Sequence, residues 1–333
     1  MQKRQLLCLA QAWLVGCWGG GAAGGGAAAR SRAYSRGRVT MMPEGPEVKS
    51  LAESLNLAVG NSRYRLAGCV AKTGRYSRSP LPGWDEASAL ISSGPPCILH
   101  SVRNKGKFMY FSFDNGMSLW STLGLTGGWT TDSGAPSLRV SLHFESLAKS
   151  KVNQPQKILH FYDQRNFGTL KFSFSEEELE AKLDSLGFDW LDPALRPSLS
   201  EFIQLGQQAG KRKRPLAVWL MDQKKTSGIG NYVLSEVLYR TKIHPNATTD
   251  MIDERGFEDL FDSISEVLDS SYASQSPIVS DSLRPPFSFI IYAQRATSDA
   301  MAHPVTRSLG THKRTVHWVP SVQTRFAPRG EQE

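Results

Sequence analysis

Cysteine is scarce in this 333-residue chain: Cys8, Cys17, Cys69 and Cys97 are the only four, and no two form a Cys-x-x-Cys pair. A disulfide framework and a thiolate zinc site are thereby excluded as organising features, and a reduced intracellular setting is expected. Long apolar runs are lacking too. The nearest to a membrane span, Leu6 to Trp18, is interrupted by Gln11 and falls short of the roughly 18 residues a span needs. Acidic residues are missing from the first 42 positions, which hold Lys3, Arg4, Arg30, Arg32, Arg36 and Arg38. Of 39 basic residues, 33 therefore face all 31 acidic ones after Met42, and most of the formal +8 belongs to the leading segment. Net charge alone thus says nothing about nucleic acid; only clustering could. What the chain does have is eight Trp, fifteen Phe and nine Tyr, with 40% hydrophobic residues, enough for about two packed domains.

The leading segment runs from an apolar stretch through Gly and Ala repeats to the Arg/Ser-rich Arg30–Arg38. Such acid-free, Arg-bearing leaders resemble organelle transit peptides, with a secretory signal or upstream sequence without a role as alternatives. From Pro43 the pattern changes. Val48, Leu51, Ala52 and Leu55 recur at helical spacing. Strand patterns follow at Arg65–Val70, Ile98–Val102, Lys107–Phe113, Ser118–Leu123, Leu138–Phe144, Ile158–Phe161 and Gly168–Phe174, with Asp114-Asn115-Gly116 as a hairpin signal. After Ser175 the period becomes helical at Glu176–Leu186, Leu199–Gln207, Pro215–Asp222, Asn231–Thr241 and Asp253–Ser271. A terminal hairpin is expected from strands at Phe287–Ala293 and Thr315–Val319.

Four basic clusters stand apart in sequence: Arg103/Lys105/Lys107, Lys211–Arg214, Lys224/Lys225 and His312–Arg314. Each alone reads as a solvated face; gathered on one side they would track phosphates. In Trp219–Tyr232 an apolar helix ends, a Gly-rich connection follows, and Asn231 opens a second helix. Free N–H groups at that start suit a phosphate oxygen, and equally an ordinary capped helical hairpin. Pro43-Glu44-Gly45-Pro46-Glu47 sets two carboxylates beside a proline that follows Met42. Acylated, that proline nitrogen is inert. Exposed by removal of Met42 it would be a secondary amine, and α-amino groups titrate near ~7.7–8.0, so it would be partly nucleophilic at neutrality.

These segments resemble the formamidopyrimidine-DNA glycosylase and endonuclease VIII family of base-excision repair enzymes, over Pro43 to about Gln323. The resemblance is carried by Pro43–Val48, Lys105–Phe108, Leu123–Gly127, Asp163–Gly168, Gly228–Tyr232 and Arg314–Gln323, six segments in the family's order. It implies an α+β fold: a leader over 1–42, a catalytic two-layer β-sandwich domain with flanking helices over 43–174, a helix-two-turn-helix domain over 175–284, a zincless β-hairpin finger over 285–323 and a tail over 324–333. It implies a bifunctional glycosylase and abasic-site lyase that removes oxidised bases through a proline iminium and β,δ-elimination. Pro43 is then the nucleophile, Glu44 the acid/base residue at the sugar, Glu47 a supporting carboxylate and Lys107 the phosphate-holding lysine. Leu125, Arg165 and Phe167 are the residues filling the gap left by the displaced nucleotide, and Asn231 and Arg314 are phosphate contacts. The implied partner is double-stranded DNA carrying oxidised bases or abasic sites, with the protein a monomer, off the membrane, in nucleus or mitochondrion, a plastid remaining open.

Three departures from the family pattern matter. Val319-Pro-Ser-Val322 stands where a zinc-binding cysteine pair is common, so no cofactor is expected and Trp318, Val319 and Val322 should hold the finger. Thr122 replaces a frequent phosphate-contacting histidine. The Ser270–Pro286 stretch lacks a recognisable lesion-capping loop, which shifts the expected substrates from 8-oxoguanine, left open, to formamidopyrimidines, hydantoins and oxidised pyrimidines. Two other classes compete: a damaged-DNA-binding module without catalysis, if Pro43 stays acylated, and a ribosome-associated RNA binder, which leaves the Pro43 motif without a role.

Overall fold

A capping box starts the first helix. Glu44 accepts from the third helical residue while Glu47 returns a carboxylate to the Glu44 N–H at 2.9 Å, and Pro46 sits in the first turn, where its missing N–H costs nothing. The resulting α1 (Gly45–Val59) buries Val48, Ala52, Leu55 and Val59 on one stripe. The computed structural model describes residues 43–148, 156–292, 298–299 and 301–328, all within the unit Thr40–Glu333. The leader and the tail after residue 328 lie outside the described residues.

Eight antiparallel strands follow: β1 (Tyr64–Ala71), β2 (Cys97–Lys105), β3 (Phe108–Phe113), β4 (Ser118–Thr122), β5 (Gly127–Thr130), β6 (Leu138–Ser146), β7 (Lys157–Asp163) and β8 (Thr169–Ser173). Their order is β5-β7-β6-β1-β2-β3-β4-β8. β1 meets β2 only at Arg65–Ile98 and Leu66–Cys97, whereas it follows β6 for its whole length. The sheet therefore folds over at that thin seam into two four-stranded layers. Trp129 of β5 packs 5.2 Å from Phe111 of β3 and donates its indole N–H to Ser121 of β4 at 3.1 Å, so it bridges the layers. Phe111, Leu119, Leu142, Phe144, Phe161 and Phe172 fill the space between. Of the strands, β5 was not anticipated, because Gly127-Gly128 reads as a turn. The helix α2 (Trp84–Ser93) was missed for a similar reason: it buries only Ala87 and shows no apolar stripe.

The helical part comprises α3 (Glu176–Asp184), α4 (Leu199–Gly210), α5 (Leu216–Leu220), α6 (Asn231–Arg240) and α7 (Glu254–Ala273). Phe202 sits at its centre, with ring centroids 5.3 Å from Trp190, 5.4 Å from Trp219 and 6.2 Å from Phe257. A short parallel pair, β9 (Phe188–Asp189) with β10 (Thr226–Ser227), ties the α5–α6 connection to the segment after α3. α1 belongs by sequence to the sandwich but is fastened to α7: Tyr272 donates to Glu53 at 2.7 Å, and Ser50 to the Gln275 carbonyl at 2.7 Å.

The terminal hairpin differs from the expectation. Thr315–Trp318 is indeed a strand, β12, but its partner is β11 (Thr306–Leu309), not Phe287–Ala293. The apolar run at 287–292 cannot join a ladder because the buried Glu236 carboxylate takes three successive amides, Ile290, Ile291 and Tyr292, at 2.8–3.0 Å. Ala293 lies outside the described residues.

Candidate active site

The site forms where three loops meet backbone to backbone. The Gly45 N–H donates to the Gly228 carbonyl at 3.0 Å, and a Cβ on Gly106, in the β2–β3 turn at φ +55°, would lie 2.6 Å from the Gly228 nitrogen. Gly228 itself has φ +98°. Side chains at these positions would push the head of α1, the β2–β3 turn and the α5–α6 connection apart. Gln223 stitches that connection, donating to the Met221 and Ile229 carbonyls at 2.9 Å and accepting from the Gly228 N–H at 3.0 Å. The Asp189 carboxylate accepts the Gly106 N–H at 2.9 Å and so holds the turn that presents Lys107.

Pro43 lies half-buried at the head of α1, next to Glu44, which is only 1% exposed. The Glu44 carboxylate reaches the start of α6 and accepts the Tyr232 and Val233 N–H groups at 2.9 and 3.3 Å. Those helix-start donors therefore serve a carboxylate of the chain itself; the sequence had left a phosphate as an option for them. Glu44 and Lys107 converge on Gly230, where a Cβ would overlap both the Glu44 carboxyl and the Lys107 amine. Burial pushes the Glu44 carboxyl up to about 7, against the pull of Lys107 and the two backbone donors; burial likewise lowers the Lys107 amine, against the attraction of Glu44. The pair thus holds a carboxyl able to carry a proton near neutrality beside a weakened ammonium. Glu47 is the anchor: it accepts from Gln275 at 2.9 Å and from the Tyr232 hydroxyl at 3.2 Å, and burial with the two carboxylates drives that phenol well above its ordinary range.

A second loop projects from the sandwich. Phe167 is 59% exposed and Arg165 is exposed, both on the turn between β7 and β8, while Leu125 is half-buried on the turn after β4. The two turns touch, since a Cβ on Gly124 (φ +62°) would lie 2.7 Å from the Phe167 carbonyl carbon. Asp163, 1% exposed, organises them: it accepts from Gly168 N–H at 2.7 Å, Arg165 N–H at 3.1 Å and Thr126 hydroxyl at 2.6 Å. Arg75 binds the Gly168 carbonyl from outside. An exposed aromatic on so tightly braced a turn is not a core strand residue. Thr122, in the place of the usual histidine, spends its hydroxyl on Thr169 at 2.5 Å.

Asn231 is 4% exposed, and its amide joins α6 to the finger, donating to the Thr315 carbonyl at 2.8 Å and bonding His312 at 3.0 Å. Arg314 is exposed on the β11–β12 turn, and its charge bears on Lys107. Of the remaining basic residues, Lys105, Lys224 and Lys225 line one hollow of about 340 Å³, and Lys225, Arg212 and Arg214 the hollow beside it. The clusters separated in sequence therefore converge in pairs. Trp318 packs edge-on to His244 at 4.9 Å and donates to Ser308; Val319 is fully buried and Val322 half-buried. His303 bonds Asp299, and His317 lies against Tyr292. Among the described residues no three His, Cys, Asp or Glu side chains are grouped to hold a metal.

Sequence reasoning named Pro43, Glu44, Glu47 and Lys107 but not Gly230, Asp189, Asp163, Tyr232 or Gln275. Asp163 opens one of the six resemblance segments, so a signal existed; the others act across contacts between distant segments and leave no local mark.

Comparison with known proteins agrees with this geometry. The family model of the formamidopyrimidine-DNA glycosylase N-terminal domain matches residues 42–170, and that of the formamidopyrimidine-DNA glycosylase H2TH domain matches residues 192–282. Curated relatives named formamidopyrimidine-DNA glycosylase include that of Salinispora arenicola, 30% identical over 61% of this chain and 66% of its own. That of Acidiphilium cryptum is 28% identical over 73% and 82%. The fold is that of the MutM (Fpg) protein from Thermus thermophilus, with a TM-score of 0.66 at 24% identity over 86% of this chain and all of that one. The Lactococcus lactis formamido-pyrimidine DNA glycosylase non-covalently bound to an AP-site-containing DNA gives 0.66 at 20% identity over 84% and 99%. With both domains of one family matched in order along the chain, and the site residues gathered as that order requires, the chain belongs to the formamidopyrimidine-DNA glycosylase and endonuclease VIII family.

Proposed function

We propose that this chain is a bifunctional DNA glycosylase and abasic-site lyase of base-excision repair, active when Pro43 is its first residue. The observation that carries the reading is the convergence of the Glu44 carboxyl and the Lys107 amine on Gly230, beside Pro43 and below an exposed Phe167. A free Pro43 nitrogen attacks C1′ of a nucleotide turned out of the duplex; the N–C1′ bond forms as the glycosidic bond breaks and the base departs with its electron pair. Glu44, carrying a proton near neutrality, delivers it to the sugar-ring oxygen and so opens the ring to an iminium. Loss of the C2′ proton expels the 3′ phosphate, and a second elimination expels the 5′ phosphate. Lys107 and Arg314 hold backbone phosphates during these steps. Phe167 and Leu125 occupy the stack, and Arg165 faces the orphaned base, offsetting the few kcal/mol that extrusion costs.

The substrates we assign are formamidopyrimidines, hydantoins and oxidised pyrimidines in double-stranded DNA, on a finger that needs no zinc. Borohydride trapping on an abasic-site duplex tests the reading: the chain beginning at Pro43 should become covalently bound, and absence of any adduct would contradict it. The chain with Met42 acylating Pro43 fits a second state, damage binding without covalent chemistry. It should bind the same duplex and give no adduct, so exposure of Pro43 would switch the activity on.

A further inference from the structure

The finger is seated on the helical domain through one side-chain bond that the chemistry above does not use. Asn231 Nδ2 donates to the Thr315 carbonyl, which can only accept, so its Oδ1 faces His312. His312 Nε2 must then be the donor in that 3.0 Å bond, and the ring is the neutral tautomer protonated on Nε2. Its Nδ1 is buried without a partner. Gly310 makes room for this ring, since a Cβ there would lie 2.6 Å from His312 Cε1. The turn around it is tight: Gly310 N–H donates to the Arg314 carbonyl and Lys313 N–H to the Gly310 carbonyl, each at 2.9 Å, with Lys313 at φ +60°. The two atoms gripped by Asn231, His312 Nε2 and the Thr315 carbonyl oxygen, flank Arg314 in sequence.

We propose that His312 is a positioning residue: by donating to Asn231 it fixes the β11–β12 turn on the start of α6 and holds Arg314 within reach of Lys107. In this finger a single imidazole–amide bond does the fastening. The inference rests on the proposed DNA reading only for the consequence at Arg314; the fastening itself concerns the free protein. Burial and the Arg314 charge both keep the imidazole below its ordinary value of 6.5. The charged or titratable groups around it are Arg314 on its own turn and, through Asn231, the Tyr292 hydroxyl. A second proton would land on Nδ1 in a place with no acceptor. Docking of the turn is therefore complete above about pH 6.5 and weakens as the solution is acidified below it.

The test uses the full chain and two readouts. The first is amide exchange of Thr306–Trp318 without DNA. His312→Ala should lower protection of this hairpin about tenfold, the worth of one bond plus the donor it strands. His312→Gln, whose amide N–H can reach the same oxygen, should restore it and abolish the further loss of protection that the parent shows on moving from about pH 7.5 to about pH 5.5. The second is binding to a duplex with a tetrahydrofuran abasic analogue. His312→Ala and Arg314→Ala should each weaken binding about tenfold, and the double variant should be no weaker than either, because an unseated Arg314 contributes nothing. Unchanged protection in His312→Ala, or losses of affinity that multiply in the double variant, would overturn the inference. A parent chain that fails to bind the duplex would instead count against the DNA reading, while the exchange result would still decide the fastening.

Discussion

Glu44 carries the largest electrostatic tension in the molecule, being a carboxyl held by two helix-start amides yet buried next to an amine. Its value of about 7, against an ordinary 4.5, means the neutral form is the better tolerated one. That stabilising contribution is complete below pH 4.5 and is lost as pH rises to about 7. Thermal melts of the parent and Glu44→Gln should therefore diverge over this window, the parent losing ground as pH increases; parallel curves would show that Glu44 is not perturbed. In the Pro43 form, Glu44→Gln should reduce base excision by ~10²–10⁴, the usual worth of a positioned acid, while cutting preformed abasic sites far less. Asp163 makes a different prediction. Replacing it by Ala strands three donors on the loop that carries Arg165 and Phe167, at about 3 kcal/mol, whereas Phe167→Ala should change stability by under about 0.5 kcal/mol and still weaken lesion binding. The local sequence made Glu44, Lys107 and Phe167 legible because each sits in a short stretch of recognisable order. It could not reveal that Glu44 would occupy the start of a helix 188 positions away, since that depends on tertiary contact.

At the scale of elements, the site exists because three turns approach without side chains. Gly106→Ala and Gly228→Ala each introduce a Cβ at positive φ, and at Gly106 that Cβ meets the facing backbone; each should destabilise the fold by about 1–3 kcal/mol. Gly230→Ala is sharper. Its methyl group occupies the space where Glu44 and Lys107 meet, and a displacement of the order of 1 Å there should cut excision about a hundredfold while the far-ultraviolet spectrum stays unchanged. Alternating apolar residues identified seven of the eight sandwich strands, because half-buried strands must alternate. The exceptions have physical causes. Gly127-Gly128 carries no pattern, yet pairs with Asp163 and Tyr162; β11 is polar and exposed; and the apolar 287–292 run is kept from a ladder by a single buried carboxylate.

For the molecule as a whole, the sandwich supplies the nucleophile, the lysine and the wedge, and the helical part supplies the floor of the site, with α1 fastened to α7 so that the two act together. Net charge after Met42 is small, so DNA affinity must come from placement: Lys107 with Arg314 at the site, and Lys105, Lys224 and Lys225 with Arg212 and Arg214 in adjoining hollows. Lys107→Ala should weaken binding across sequences and reduce the slope of log affinity against log salt by about one; an unchanged slope would remove Lys107 from the phosphate contacts. All of this chemistry turns on one atom, the Pro43 nitrogen. The most direct test is to digest the borohydride-trapped adduct of the Pro43–Glu333 chain on an abasic-site duplex and locate the attachment by mass spectrometry. The account predicts the sugar on the peptide beginning with Pro43; attachment at Lys107 or any other lysine would contradict it.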